Sequence, residues 1–187
     1  LGVQEGVLAP EESKVLRSLM RFHSLTIRDI MTPRQVVFSL PQSATVHEAI
    51  ELNGPLRFSR IPVYAEHNDD IVGFVRKDDL LLAAIKSPPA TQLKTLKREI
   101  LTVPETLSLA ILLRRIAESG DQIMLVVNEY GDTKGIVTME DLIETMIGME
   151  IVDETDTVTD MRLLARELWL KRAAELGIDP EAADQES

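Results

Sequence analysis

The sequence predicts an α+β fold of two βαββα repeats related by pseudo-twofold symmetry, flanked by N- and C-terminal helices. Three observations predict it. The chain is self-similar: VVFSLPQSATVHEAI…FSRIPVYAEHNDDIVGFVRKDDLL is matched by EILTVPETLSLAILL…DQIMLVVNEYGDTKGIVTMEDLI. Each unit keeps one order of short strand, Pro, helix, apolar strand, polar turn, Gly-bearing strand and helix. A unit of this size leaves one sheet face exposed, and pairing two units buries both. Setting Pro41 on Pro104 gives an offset of 63 and brings Val63 onto Val126. Gly73 falls on Gly135 at 62, so the second hairpin turn is one residue shorter.

The elements follow in order. Residues 10–23 place Val15, Leu16, Leu19 and Met20 on one helical face. Residues 36–39 are β-branched and aromatic and read as a short strand. Thr45-x-x-Glu48 has the capping-box form and opens a helix that stops near Asn53-Gly54. Residues 61–64 and 71–75 flank a polar turn at 66–70, a hairpin of the longer-loop kind. Residues 79–85 read as a helix that Pro88-Pro89 cannot continue. In the second unit Leu109, Leu112, Leu113 and Ile116 give helical spacing, ended by Ser119-Gly120. Residues 123–127 are continuously apolar, as in a buried strand. Residues 129–134 turn, 135–138 form a strand, and 139–147 form a helix closed by Gly148. Residues 160–176 read as a last amphipathic helix carrying Trp169, with an acidic tail beyond Gly177. The expected organisation is an N-terminal arm at 1–25, repeats at 26–87 and 88–150, and an acidic linker, helix and tail at 151–187.

Composition narrows the chemistry. Of 187 residues, 20 are Lys or Arg and 31 Asp or Glu, a net charge of −11, which argues against a nucleic-acid surface. The absence of Cys removes disulfides, thiolate zinc sites and cysteine nucleophiles. The longest apolar run, residues 80–85, is far below the ~20 residues of a membrane span. No signal peptide is visible, and the start at Leu1 rather than Met reads as that of a fragment. His23, His47 and His67 are scattered, and no HExxH, GxSxG, GxGxxG or GxxxxGK motif occurs, so no catalytic centre is expected.

The segment GIVTMED at 135–141 carries the clearest signal. A strand ends at Thr138 and a helix begins at once, and a helix N-terminus suits phosphate. Thr138 adds a hydroxyl, and Asp141, one turn in, can accept the hydroxyls of a ribose. The same pattern is also a plain helix cap. Asp79 recurs at the same distance from Gly73, but Arg76 stands where the second repeat has Thr. Arg60, beside an apolar strand, can clamp a phosphate or join a surface salt bridge. Pro62 fits an edge strand whose missing N–H leaves room for a base or ribose, which Leu125 in the other repeat does not. The acidic run Glu150, Asp153, Glu154, Asp156 and Asp160 can hold a divalent cation, but such a run is more commonly a solvated loop, which is the expected reading.

DIMTPR at 29–34, FSRIPVY at 58–64, NEYG at 128–131 and GIVTMEDL at 135–142 occur together and in order. In this the chain resembles the cystathionine-beta-synthase (CBS) domain pair, or Bateman module. It resembles more narrowly the CorC/cyclin M group of magnesium and cobalt efflux proteins, once labelled hemolysin-like. The resemblance implies a membrane domain upstream and a module at the cytoplasmic face of the inner or plasma membrane. It implies a homodimer, often a flat disc, that binds AMP or ATP, with or without Mg2+, and regulates divalent-cation transport without catalysis. Carried over, Thr138 and Asp141 meet phosphate and ribose, with Glu140 beside them. Thr32, Phe58, Ser59, Arg60, Ile61 and Pro62 line the adenosine and phosphates, and Ile136 forms an apolar wall. Arg76 departs from the motif, so one nucleotide per chain is expected. The competing reading is a ligand-free dimerisation or docking module in which Thr138 and Asp141 are only a cap.

Overall fold

The computed structural model describes residues 10–52, 58–88 and 90–148. The elements are α1 (Pro10–Phe22), a 3-10 turn at Ile27–Asp29, β1 (Thr32–Pro33), β2 (Leu40–Pro41), α2 (Val46–Leu52), β3 (Arg60–Tyr64), β4 (Ile71–Arg76) and α3 (Lys77–Lys86). After a second 3-10 turn at Leu93–Thr95 come β5 (Leu101–Pro104), α4 (Leu109–Ser119), β6 (Ile123–Val127), β7 (Thr133–Thr138) and α5 (Met139–Ile147). One sheet has the order β2-β3-β4 and the other β1-β7-β6-β5. In each repeat the first strand runs parallel to the middle strand, joined through a helix, and the middle strand forms an antiparallel hairpin with the last. Gly120 and Gly148 close α4 and α5 in the left-handed conformation, at φ 73° and 72°.

The two cores do not follow the sequence halves. Phe22, Ile27 and Ile30, which precede the first repeat, are buried with Val103, Leu109, Leu112, Met124, Val126, Val137 and Leu142 of the second. Leu93, between the repeats, is buried with Leu40, Val46, Ile61, Val63, Val75 and Leu80 of the first. Each repeat is thus completed by the lead-in of the other. The backbone repeats this exchange. Ile27 N–H donates to the Leu107 carbonyl and Arg28 N–H to that of Glu105, both at 3.0 Å. Leu93 N–H donates to Ala44 and Lys94 N–H to Gln42, both at 2.9 Å, at the matching positions of the first repeat.

The repeated strand glycines sit where a lead-in passes closest. β1 pairs with β7, Pro33 opposite Gly135, and a Cβ on Gly135 would collide with the Thr32 carbonyl oxygen. A Cβ on Gly73 would collide with the Arg98 carbonyl oxygen, and Phe74 and Arg98 exchange backbone hydrogen bonds of 3.0 and 2.8 Å. The glycines permit close backbone approach.

Several expectations shift. Residues 36–39 are not a strand: Val36 N–H closes a turn onto Pro33, and the chain meets β3 only at Leu40 and Pro41. The helix expected from 79 starts at Lys77, and the strand expected from 135 starts at Thr133. Leu16, Leu19 and Met20 of α1 are exposed rather than packed. The helix expected over 160–176, Trp169 and the acidic run at 150–160 lie outside the described residues.

Candidate functional site

Thr138 ends β7 and caps α5. The Asp141 Oδ2 accepts from Thr138 N–H at 2.7 Å and from Thr138 Oγ1 at 2.9 Å, and Asp141 N–H returns to Oγ1 at 3.3 Å. The pair is a closed capping box. The same chemistry recurs at Thr26–Asp29 (2.7 and 2.8 Å) and at Thr45–Glu48 (2.7 and 2.9 Å). Thr-x-x-Asp by itself therefore marks a helix start before it marks a ligand. The location distinguishes Thr138. Ile136 lies two residues earlier on the same half-buried face of β7, and Thr32 of β1 stands directly opposite it. Thr32, Ile136, Thr138 and Asp141 form one patch, with exposed Glu140 beside it.

The first-repeat residues form a second group. Strand alternation puts Arg60 and Pro62 on the face of the β2-β3-β4 sheet away from its core. That face corresponds to the Ile136 and Thr138 face of β7. Ile123 and Leu125, opposite Thr138 and Ile136, are buried without joining either core, so this second face is covered too. Ile61 is the exception among the expected lining residues. Its side chain is fully buried in the core, leaving only its backbone to a ligand. Phe58 stacks on Phe38 with ring centroids 5.6 Å apart, and the exposed Ser59 accepts from Lys77 N–H at 3.0 Å.

Pro62 is not on an edge strand, since β3 is the middle strand of its sheet. The correction is partial. β2 reaches only Val63 and Tyr64, so Arg60–Pro62 has a strand on one side alone. In the second repeat β5 continues to Leu101 and pairs Thr102 with Leu125, closing the equivalent edge. The Arg60 side chain is half-buried and makes no ion pair or hydrogen bond among the described residues.

At the corresponding helix start of the first repeat, Arg76 caps α3 without a side-chain cap bond and pairs with Asp78 at 2.8 Å. Asp79 is held by Arg98, whose Nε and Nη2 reach its Oδ2 at 3.0 and 2.9 Å. Sequence reasoning missed Arg98. Its only signal was its place in the lead-in that passes Gly73. It also missed Glu105, which is 5% exposed and forked by Arg28. The hydrogen bonds and charge of Arg28 hold the Glu105 carboxyl below its ordinary value against the opposing effect of burial. Asn128 organises the NEYG turn, its Oδ1 accepting from Tyr130 N–H at 3.1 Å and Asp132 N–H at 2.8 Å.

Among the described residues no group of three or more His, Asp and Glu is placed to hold a metal ion. No described helix is long and apolar enough to cross a membrane.

Comparison with known proteins agrees with this architecture. The CBS domain family model matches residues 27–86 and 93–148. Hemolysin C of Brachyspira hyodysenteriae is 38% identical over 149 residues, 80% of this chain and 54% of that protein. The magnesium and cobalt efflux protein CorC of Escherichia coli is 30% identical over 172 residues, 91% of this chain and 59% of that protein. The chain thus spans between half and three-fifths of these relatives. A CBS domain of a bacterial CNNM/CorC family Mg2+ transporter in complex with ATP superposes with TM-score 0.70 at 31% identity, covering 75% of this chain and 99% of that one. A CBS-domain pair from Klebsiella pneumoniae with bound AMP gives TM-score 0.59 at 27% identity, covering 66% and 99%.

Proposed function

The chain belongs to the CBS domain family, and from that premise we propose that it is the nucleotide-sensing part of a divalent-cation transporter. It binds an adenine nucleotide and catalyses nothing itself. Its place is the cytoplasmic side of the membrane, beneath an upstream membrane domain that moves magnesium or cobalt. The observation that carries this reading is the one-sided half of β3. Arg60–Pro62 offers a strand edge without a strand neighbour, and Arg60 has no anionic partner among the described residues. A base can approach such an edge, and a guanidinium suits phosphate. On this reading Thr32, Ile136, Thr138, Glu140 and Asp141 supply the other wall, and Phe58, Ser59 and the Ile61 backbone flank the base. The reading gains support from the ATP and AMP complexes of similar CBS domains.

The module acts as a homodimer on this reading, and the exposed Leu81, Leu82 and Ile85 of α3 support a second copy. Nucleotide regulates by favouring one arrangement, limited by its differential affinity for the two. The closed Thr138–Asp141 box favours a second reading, a ligand-free docking module. Calorimetric titration with AMP and ATP, with and without Mg2+, separates the two. Saturable binding is expected, with a thermal stabilisation of ~2.7 kcal/mol at about 100 times Kd. Absence of both leaves the docking module.

A further inference from the structure

We propose that residues 160–176 fold back as an amphipathic helix onto the exposed apolar face of α1 in the same chain, so that the C-terminal segment clasps the helix that leads into the module. The docking needs no nucleotide.

α1 has two distinct faces. Val15, Ser18 and Phe22 are spaced for one side of a helix; the first two are half-buried and Phe22 belongs to the second-repeat core. Along its length α1 packs against α5. The neighbouring face carries Leu16, Leu19 and Met20, which are 48%, 39% and 78% exposed. Single exposed apolar side chains are ordinary, but these three stand at i, i+3 and i+4 and join into one stripe. Beyond Met20 on the helix surface come Arg17 and Arg21, both exposed, and residues 15–22 contain no acid. The stripe thus runs between the body of the module on one side and a basic edge on the other.

The remainder of the chain supplies a matching occupant. α5, the neighbour of α1, is the last described helix and closes at Gly148. Residues 149–159 span at most ~36 Å when extended, more than the ~20 Å length of a 13-residue helix, so every position along α1 is within reach. That stretch carries Glu150, Asp153, Glu154 and Asp156 with no Lys or Arg, the charge that Arg17 and Arg21 call for. In the segment that follows, Met161, Leu164, Ala165, Leu168 and Trp169 fall on one helical face. Such a face needs a surface, and a helix laid along an apolar groove supplies one. The tether favours α1 of the same chain over any separate partner, because it holds the segment at an effective concentration of about millimolar. α3 also exposes Leu81, Leu82 and Ile85, but it opens on Asp78 and Asp79, the wrong sign for an acidic linker.

Trp169 is the one tryptophan of the chain, and the chain has no Cys, so both the reporter and an introduced cross-link are unique. In the full chain acrylamide is expected to quench Trp169 several-fold less than in urea. Leu16→Gln combined with Met20→Gln should restore most of that quenching, and Leu82→Gln combined with Ile85→Gln should leave it unchanged, with circular dichroism as folding control. Met20→Cys paired with Leu164→Cys or with Leu168→Cys should form a disulfide within one chain under mild oxidation, seen as a faster-migrating monomer on a non-reducing gel. Leu82→Cys paired with Leu168→Cys should not. Quenching of native Trp169 as free as in urea overturns the docking. Protection that is indifferent to the α1 pair, or cross-linking at Leu82 in place of Met20, places the segment elsewhere and overturns it too. Disulfides at Met20 that appear only between chains put the segment on a second copy and overturn the same-chain clasp.

Discussion

Arg28 reaches across the repeat boundary and grips Glu105 with two parallel bonds, Nε to Oε2 at 3.0 Å and Nη2 to Oε1 at 2.8 Å. Arg28 belongs to the lead-in of the first repeat, and Glu105 to the turn after β5 of the second. The backbone repeats the link, since Arg28 N–H donates to the Glu105 carbonyl. This fork is the polar counterpart of the exchanged cores. In the first repeat the position matching Glu105 is Gln42, whose carbonyl accepts from the Lys94 N–H at 2.9 Å and whose Oε1 accepts from Lys97 Nζ at 3.2 Å.

Arg28→Ala should destabilise the fold by about 1.5–3 kcal/mol, the range for hydrogen bonds to a charged group. The reason is that a carboxylate with 6% of its side chain exposed loses its partner. Glu105→Gln, which removes charge and keeps shape, should cost less. Urea denaturation of both variants measures this, and a loss under about 0.5 kcal/mol for Arg28→Ala would mean that water satisfies Glu105 without it.

The same carboxylate gives a pH dependence of definite sign. Arg28 holds the Glu105 carboxyl below its ordinary value, and the Thr45 N–H and hydroxyl do the same for Glu48. A depressed value in the folded state means stability that is fully present above the unfolded value, about 4.3 for Glu. That stability is lost as pH falls through the folded values. Chemical denaturation from pH 7 to pH 3 should show a decline beginning near pH 4.5, smaller in Glu105→Gln. Identical acid profiles for the wild type and Glu105→Gln would remove Glu105 from the account.

Gly135→Ala should destabilise by about 1–3 kcal/mol, because the added methyl meets backbone rather than a flexible side chain. The cost should fall on the β1–β7 pairing. Hydrogen exchange at Arg34, whose N–H donates to the Lys134 carbonyl at 2.8 Å, should accelerate more than exchange in β3 or β4. Uniform acceleration would argue against a local clash.

Asp141→Ala and Asp29→Ala remove equivalent capping-box carboxylates, each at a cost of about 0.3–1.5 kcal/mol. Only Asp141 lies in the proposed nucleotide site. Asp141→Ala should weaken adenine nucleotide at least tenfold, and Asp29→Ala less than twofold. Equal affinities in both variants would leave Asp141 as a helix cap alone.

One nucleotide per chain is expected, because Arg98 occupies Asp79 and Arg76 replaces the hydroxyl at the first-repeat helix start. Calorimetric stoichiometry reads this directly. A value near two would show that Arg98 yields its carboxylate to ligand.

Much of the fold was legible locally. Residues 123–127 and 139–147 are bounded in the structure where the apolar run and Gly148 predicted. Thr45–Glu48 closes the box its spacing implied. Such features depend on residues a few positions apart, so the sequence carries them whole. The misplaced strand at 36–39 failed for the opposite reason. Those residues have strand propensity, but a strand needs a partner, and the β3 edge begins only at Leu40.

What the sequence by itself determined is the doubled unit, the order of its elements, and the chemistry offered at Thr138, Asp141 and Arg60. The tertiary structure alone decided which lead-in completes which core, why Gly73 and Gly135 are glycine, and which acids Arg28 and Arg98 meet. These contacts join residues 77 and 19 positions apart, and nothing in a local pattern ranks one distant carboxylate above another. Chain connectivity does not choose the partner of an arginine; the close packing of two interlocked cores does.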